Sequence, residues 1–252
     1  SSARSLYIVA LVAFIFVLLV VFLSFREPRT STSQFEAMEI SKLAVTSKAV
    51  DAVTSADGKY LFYIQNDDGS QSIWVKQTIA GSAARRVVEN LEGRAFLMQG
   101  LGDHIYYLEL PSDQQVASLK RVPILGGAIE EIATGIQSKI SFSPDGTQIA
   151  YTRFDGSSLM LYARSLKDGK ERLIRRGEAG SSLLLPAWSP DGRVLVCVSG
   201  DFENNAALGL VEVSVEDGNL KRLGEELWYD IGDLEWVPDG SGLVISGSKQ
   251  RE

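Results

Sequence analysis

The sequence predicts an all-β fold, a β-propeller of four-stranded antiparallel blades, preceded by one transmembrane α-helix. Three observations carry this reading. A turn signal recurs at near-constant spacing, about four strand-like segments separate one signal from the next, and an uncharged run of 20 residues stands near the start.

The turn signal is clearest at Ser143-Pro144-Asp145-Gly146. Pro presets φ at the second position of a type I turn, Asp hydrogen-bonds its own backbone, and Gly takes the positive φ that a hairpin bulge requires. Copies stand at Ser55-Ala56-Asp57-Gly58, Ser189-Pro190-Asp191-Gly192 and Val237-Pro238-Asp239-Gly240, with a degenerate one at Gly102-Asp103. From Asp57 through Asp103, Asp145 and Asp191 to Asp239 the steps are 46, 42, 46 and 48 residues. A period of about 40–50 residues with four short strands in each is the signature of a propeller blade.

The 252 residues, 45% apolar and 23% charged, supply a core for one domain. A net charge of −7 and a pI near 5.0 argue against a nucleic-acid surface, so no DNA or RNA contact is expected. The single cysteine, Cys197, lies within an apolar run and reads as a small buried hydrophobe.

Residues 6–25, from Leu6 to Phe25, span about 30 Å as a helix, the thickness of a bilayer hydrocarbon core. A signal peptide would have a shorter apolar core and a small-residue cleavage site, whereas this run ends in Phe22-Leu23-Ser24-Phe25-Arg26. The expected domains are therefore a membrane helix over 1–25, a polar linker over 26–37 and a partial propeller over 38–252. Arg4 on one side and Arg26 and Arg29 on the other leave orientation undecided by charge. Residues 38–43 alternate like a half-exposed strand and are expected to close a ring from outside its last blade.

Strands follow in order. The first repeat places them near 50–54, 60–65, 72–77 and 85–88, and the second near 94–98, 104–110, 117–123 and 128–132. The third places them near 139–142, 148–153, 158–164 and 171–174, and the fourth near 184–188, 194–199, 208–213 and 219–223. A fifth repeat contributes only 233–237 and 243–247, so the expected ring is incomplete, about four and a half blades of a longer protein.

The Ser-Pro-Asp-Gly turn, the apolar strand after it, the Gly-containing turn and the short fourth strand are similar to the WD-like repeat of TolB-type propellers, over residues 35–250. The segments 71–77, 121–127, 186–192 and 236–242 resemble the extracytoplasmic propellers of bacterial membrane proteins. In those, a serine/threonine protein kinase domain, or a winged-helix DNA-binding domain, precedes one transmembrane helix. The resemblance implies a single-pass membrane protein with its propeller in the periplasm or otherwise outside the cytoplasm. The resemblance does not specify a ligand; with an anchor, a linker, a run of blades and no catalytic motif, the expected partners are an unknown protein or peptide for the propeller and the lipid bilayer for residues 6–25. Ala56 in place of Pro, and Gly102-Asp103 alone in the second repeat, depart from the pattern.

No catalytic, metal or cofactor site is expected, and the chain itself reads as non-catalytic. It has no G-x-S-x-G, no phosphate loop and no H-E-x-x-H. His104, the one histidine, has only Asp103 as an acidic neighbour and reads as structural. Asn66-Asp67-Asp68-Gly69 lacks the spacing of a calcium loop and reads as a solvated turn. Asp57, Gly58, Asp145, Gly146, Asp191, Gly192, Asp239 and Gly240 are expected to be structural turn residues. Trp74, Trp188 and Trp236 fall in strands and are expected to pack between blades. Trp228, in the expected loop 225–230, is the candidate exposed aromatic for binding. A propeller gating a downstream peptidase domain is the enzyme-associated alternative.

Overall fold

A strand whose successive residues are all apolar has two faces to bury, and the chain meets that demand by stacking sheets. The computed structural model describes residues 47–79, 81–178, 182–200 and 207–249, all within one compact unit. The expected membrane helix, the linker and the strand at 38–43 lie outside the described residues. Among those described there is no helix, hence none long and apolar enough to cross a membrane.

Blade 1 holds β1 (Ala49–Thr54), β2 (Tyr60–Asp67), β3 (Ser70–Gln77) and β4 (Arg85–Leu91). Blade 2 holds β5 (Arg94–Leu101), β6 (His104–Leu110), β7 (Ala117–Pro123) and β8 (Glu130–Ile136). Blade 3 holds β9 (Ser141–Phe142), β10 (Gln148–Phe154), β11 (Leu159–Ser165) and β12 (Glu171–Arg176). Blade 4 holds β13 (Leu184–Trp188), β14 (Val194–Ser199), β15 (Leu208–Ser214) and β16 (Leu220–Trp228). A half blade of β17 (Asp230–Trp236) and β18 (Leu243–Ser248) follows. Every pairing between consecutive strands is antiparallel, and no strand crosses between sheets.

Four apolar clusters lie between the five blades. In β6, Ile105 and Tyr107 join Phe62, Ile64 and Ile73 of blade 1, whereas Tyr106 and Leu108 join Ile149 and Tyr151 of blade 3. In β14, Leu195 and Cys197 pack on Leu161 and Ala163 of blade 3, whereas Val196 and Val198 pack on Ile231 and Leu234 of the half blade. Each fully buried aliphatic side chain of this kind contributes about 1.5–3 kcal/mol, so alternation of burial between two neighbours, rather than between core and water, holds the array.

Hydrogen bonds cross the same seams. Arg85 Nη2 donates to the Ile124 carbonyl at 3.1 Å, Arg153 Nη2 to Thr134 at 2.9 Å and Arg172 Nη1 to Val215 at 2.7 Å. Trp236 Nε1 donates to the Ala187 carbonyl at 3.1 Å. Within blade 3, Glu171 accepts from Tyr151, Arg153 and Arg164, and the Arg153 guanidinium lies 5.4 and 5.3 Å from the Tyr151 and Tyr162 ring centroids.

Several boundaries differ from the sequence reading. The fourth strand of blade 2 is Glu130–Ile136 rather than 128–132, because Gly126-Gly127 and the residues after them extend the turn. The first strand of blade 3 shrinks to Ser141–Phe142, leaving Lys139 and Ile140 outside the ladder. β16 runs to Trp228 and β17 starts at Asp230, so the expected loop 225–230 is mostly strand. In the second repeat Leu101 pairs with His104 across Gly102-Asp103, a two-residue hairpin in place of the longer turn.

Close approach of blades 1 and 2 requires the glycine at 100: a Cβ there would stand 2.3 Å from Cε2 of the buried Phe62 ring. Gly100→Ala is expected to cost about 1–3 kcal/mol by overpacking. Gly242→Ala, which meets open space, is expected to change stability by less than about 0.5 kcal/mol. Urea unfolding of the two variants beside the parent checks both.

Candidate functional site

The first strand of each blade lies innermost, and these strands meet around a central cavity. β1 supplies Asp51 and Val53, β5 supplies Arg94 and Phe96, and β13 supplies Leu185 and Ala187. Lys139, Ile140 and Ser141 come from blade 3, and Asp233 and Glu235 from β17. The cavity comprises two adjoining spaces of about 570 Å³ and 710 Å³ that share Lys139, Ile140, Asp233 and Glu235 as a common wall. A third, apolar space of about 280 Å³ enters between blades 2 and 3 and shares Phe96 and Lys139 with the second.

Position relative to the turn marks the wall. Counted back from the turn Asp, the sixth residue is Asp51, Lys139, Leu185 or Asp233, and the fourth is Val53, Gln99, Ser141, Ala187 or Glu235. All of these line the cavity, and so do Ile140, Pro186 and Leu234 between them, because Lys139 lies ahead of its strand and Leu185 in a bulge.

Charge crosses the cavity. Lys139 Nζ stands 2.6 Å from Asp233 Oδ2, joining blade 3 to the half blade over the head of blade 4. Glu235 pairs with Val244 in the β17–β18 ladder, and its exposed side chain has neither a hydrogen bond nor an ion pair among the described residues. Its carboxyl is held above the usual carboxylate range, first by burial and then by Asp233, with Lys139 opposing. Leu185 adds backbone strain at the same wall: its φ is +49°, and it stands before Pro186 in a bulge between Leu184 and Ala187. A bulky residue in the left-handed region is uncommon, and such strain concentrates at functional sites.

The Asp and Gly residues of the turns do not line the cavity, although Pro144, Pro190 and Pro238 beside them border its first part. Asp57, Asp145 and Asp191 each accept from the hydroxyl two residues before, at 2.7, 2.6 and 2.7 Å, and from the backbone N–H two residues after. Asp239, which follows Val237 instead of Ser, accepts from the Ser241 N–H at 2.9 Å. Gly58, Gly146, Gly192 and Gly240 have φ of 67°, 67°, 76° and 75°, and each donates to the carbonyl three residues before. Their carboxyls are occupied by local capping.

His104 Nδ1 lies 2.5 Å from Asp103 and lines neither part of the central cavity. Asn66 Oδ1 accepts from the Gly69 N–H, and Asp67 binds Lys48 at 2.9 Å, so that turn is satisfied by its own chain. Among the described residues no three of His, Cys, Asp or Glu group to hold a metal ion. Cys197 is fully buried and its thiol is pushed up to about 12 by burial. Trp188 is buried between blades 3 and 4 and Trp236 packs between blade 4 and the half blade, as expected, whereas Trp74 stacks on Tyr63 of its own blade beneath Arg86 and joins none of the clusters between blades.

Trp228 requires a correction. It ends a strand, pairs with Leu208 and is half-buried against the cluster between blade 4 and the half blade, with Lys249 Nζ 4.9 Å above its ring. Leu227 and Tyr229 beside it are the more exposed side chains. Sequence reasoning treated Trp-Tyr-Asp after two acids as a loop, and β16 absorbed it.

Lys139, Asp233 and Glu235 were missed as a group because 94 residues separate Lys139 from Asp233. The signal was present in the register of the repeats: charges at the sixth and fourth positions before the turn Asp, where a propeller turns first strands inward.

No family model matches the chain. It is 32% identical over 113 residues to the uncharacterized peptidase YuxL of Bacillus subtilis (strain 168), covering 42% of this chain and 16% of that protein. Among solved structures, putative TolB from Agrobacterium tumefaciens superposes with a TM-score of 0.59 at 18% identity, over 77% of this chain and 68% of that one. TolB from Acinetobacter baumannii gives 0.55 at 15%, over 75% and 47%. An oligogalacturonate lyase from Vibrio parahaemolyticus gives 0.62 at 12%, over 81% and 64%. These likenesses show a TolB-like propeller fold.

The capped turns set an acid response. The carboxyl of Asp57 is lowered to about 2, chiefly by the Ser55 hydroxyl, and those of Asp145, Asp191 and Asp239 are lowered by Ser143, Ser189 and Ser241. A depressed folded-state value adds stability above the unfolded-state value, about 4, and loses it as pH falls through the folded-state value. The melting temperature is expected to drop between about pH 4 and pH 2. The drop should be smaller when all four are changed to Asn, as thermal scans across that window will read.

Proposed function

We propose that the chain is the sensor portion of a single-pass bacterial membrane protein. Its TolB-like propeller stands outside the cytoplasm, binds a protein or peptide ligand in the central cavity, and passes occupancy through residues 6–25 to a cytoplasmic serine/threonine protein kinase domain. The propeller performs no chemistry of its own. The observation that carries the binding role is the cavity wall, to which all five blades contribute. An exposed carboxylate with no side-chain partner among the described residues, beside an ion pair that a ligand can open, is a receptive surface. The apolar run and polar linker ahead of the propeller, and the resemblance of its repeats to kinase-linked propellers, support the rest.

Coupling follows from the architecture. A ligand that touches first strands of several blades acts on their packing together, and the helix is joined to the first of them through the linker. The coupling free energy such a ligand supplies is its difference in affinity between two arrangements of the blades.

A second reading, a propeller that gates a peptidase domain, is favoured by the 113-residue match to a protein named as a peptidase. The coding sequence on either side of this chain separates the two. Upstream of residue 1 we expect a Gly-rich loop, H-R-D and D-F-G; a winged helix there would instead move the output to transcription. A G-x-S-x-G segment downstream, with a later Asp and His, would overturn the sensor reading. In membrane vesicles, removing residues 38–252 from the whole protein is expected to change autophosphorylation several-fold, and an unchanged rate would count against coupling.

A further inference from the structure

We infer that the central cavity takes a cationic amphipathic peptide, one in which an apolar side chain stands beside an arginine or lysine. The apolar side chain seats between blades 2 and 3 and the cation reaches Asp233 and Glu235. This rests on the reading of the chain as a binding module and names its ligand class.

The apolar subsite is the space of about 280 Å³ walled by Phe96, Leu108, Leu110, Ala117 and Ile136. It lies below the size of an ordinary small-molecule pocket and suits one side chain. Phe96, 37% exposed at its mouth, also lines the larger cavity, with the Arg94 guanidinium 5.4 Å above its ring. Lys139 borders both spaces, so the apolar seat and the acidic wall are neighbours.

Charge fixes the other half of the ligand. The groups facing the cavity are Asp51 from β1, Arg94 from β5, Lys139 ahead of β9, and Asp233 and Glu235 from β17. Lys139 is engaged by Asp233 through a pair whose side chains are 47% and 44% exposed, an arrangement that contributes little and opens readily. Among the described residues the Glu235 side chain has no hydrogen bond or ion pair, and it meets Lys139 only through its field. An arriving guanidinium or ammonium replaces Lys139 on Asp233, gains Glu235 as well, and relieves the repulsion between the two acids. An anion placed there would meet both carboxylates.

A pH dependence follows. Burial and Asp233 favour protonated Glu235, Lys139 opposes, and the cation binds the ionised form. Binding therefore strengthens as pH rises through the titration of Glu235 and weakens below it.

The test uses the whole chain in nanodiscs and four capped tetrapeptides: glycine–leucine–arginine–glycine, and the same peptide with citrulline or glutamate for arginine, or glycine for leucine. Calorimetry reads binding, and the fluorescence of Trp188 and Trp236, which line the cavity, reports its place. The arginine peptide is expected to bind at least about tenfold tighter than the citrulline peptide, the factor one charge-assisted hydrogen bond supplies. It should also bind tighter than the peptide lacking leucine, and Glu235→Gln should reduce the preference for arginine, leaving the share that Asp233 supplies.

Equal affinity for arginine and citrulline, or binding by neither, overturns the inference. Preference for the glutamate peptide overturns the ligand class and leaves the binding module standing. Cleavage of any peptide overturns the binding-module reading itself. The peptide series alone decides the matter if Glu235→Gln fails to fold.

Discussion

A four-stranded blade has two faces to cover and only its neighbours to cover them with. That constraint explains why Ile105–Leu108 of β6 and Val194–Val198 of β14 are apolar at consecutive positions, with Ile105 and Tyr107 turned one way and Tyr106 and Leu108 the other. A sheet with one wet face would show polar residues at alternate sites. Here the residues that a lone sheet would give to water are the ones that bind the next blade, so stability is shared along the array as in other repeat folds. Cross-blade donors such as Arg85, Arg153 and Arg172 satisfy carbonyls at the turns and strands of the neighbour, where ladder bonds have ended.

The same constraint makes the centre different from the seams. At small radius the first strands converge edge to edge, and their inward residues face a cavity rather than another sheet. Their sequence is thereby freed from the apolar rule, which is why Asp51, Asp233 and Glu235 stand on strands otherwise built to pack and Lys139 stands just ahead of one. Leu185 at φ +49° is tolerated in this setting because Ala187 and Trp188 beyond the bulge are locked into two different clusters. A strained residue persists when its surroundings over-determine it.

The recurrence of the turn Asp made the blade count and the central strands readable from sequence, since a tight turn is a local event with few acceptable residues. Edges were less readable. β8 and β16 lie outermost, are half-exposed and mix charge with apolar residues, so periodicity alone did not fix their ends, and Trp228 was placed in a loop that is strand. The cavity was the least legible part. Its residues come from segments that each look unremarkable, and they become a site only when the repeats are laid over one another in register. Aligning Lys139 with Asp233 through Asp145 and Asp239 would have exposed it.

Carboxylates decide where in this molecule chemistry is available. Asp57, Asp145, Asp191 and Asp239 recur so regularly that they invite a functional reading, yet each is saturated by hydroxyls and backbone N–H groups of its own turn and is held below the usual range. Those bonds are spent on shape, and a ligand would have to break the turn to use them. Glu235 occurs once, has no such bonds, and is pushed in the opposite direction by burial and by Asp233. A group whose charged form is left under-stabilised by the fold gains most from an incoming opposite charge. Repetition therefore marks the residues that build the blades, and the departure from repetition, at the inward positions of the half blade, marks the residue on which the proposed ligand contact rests.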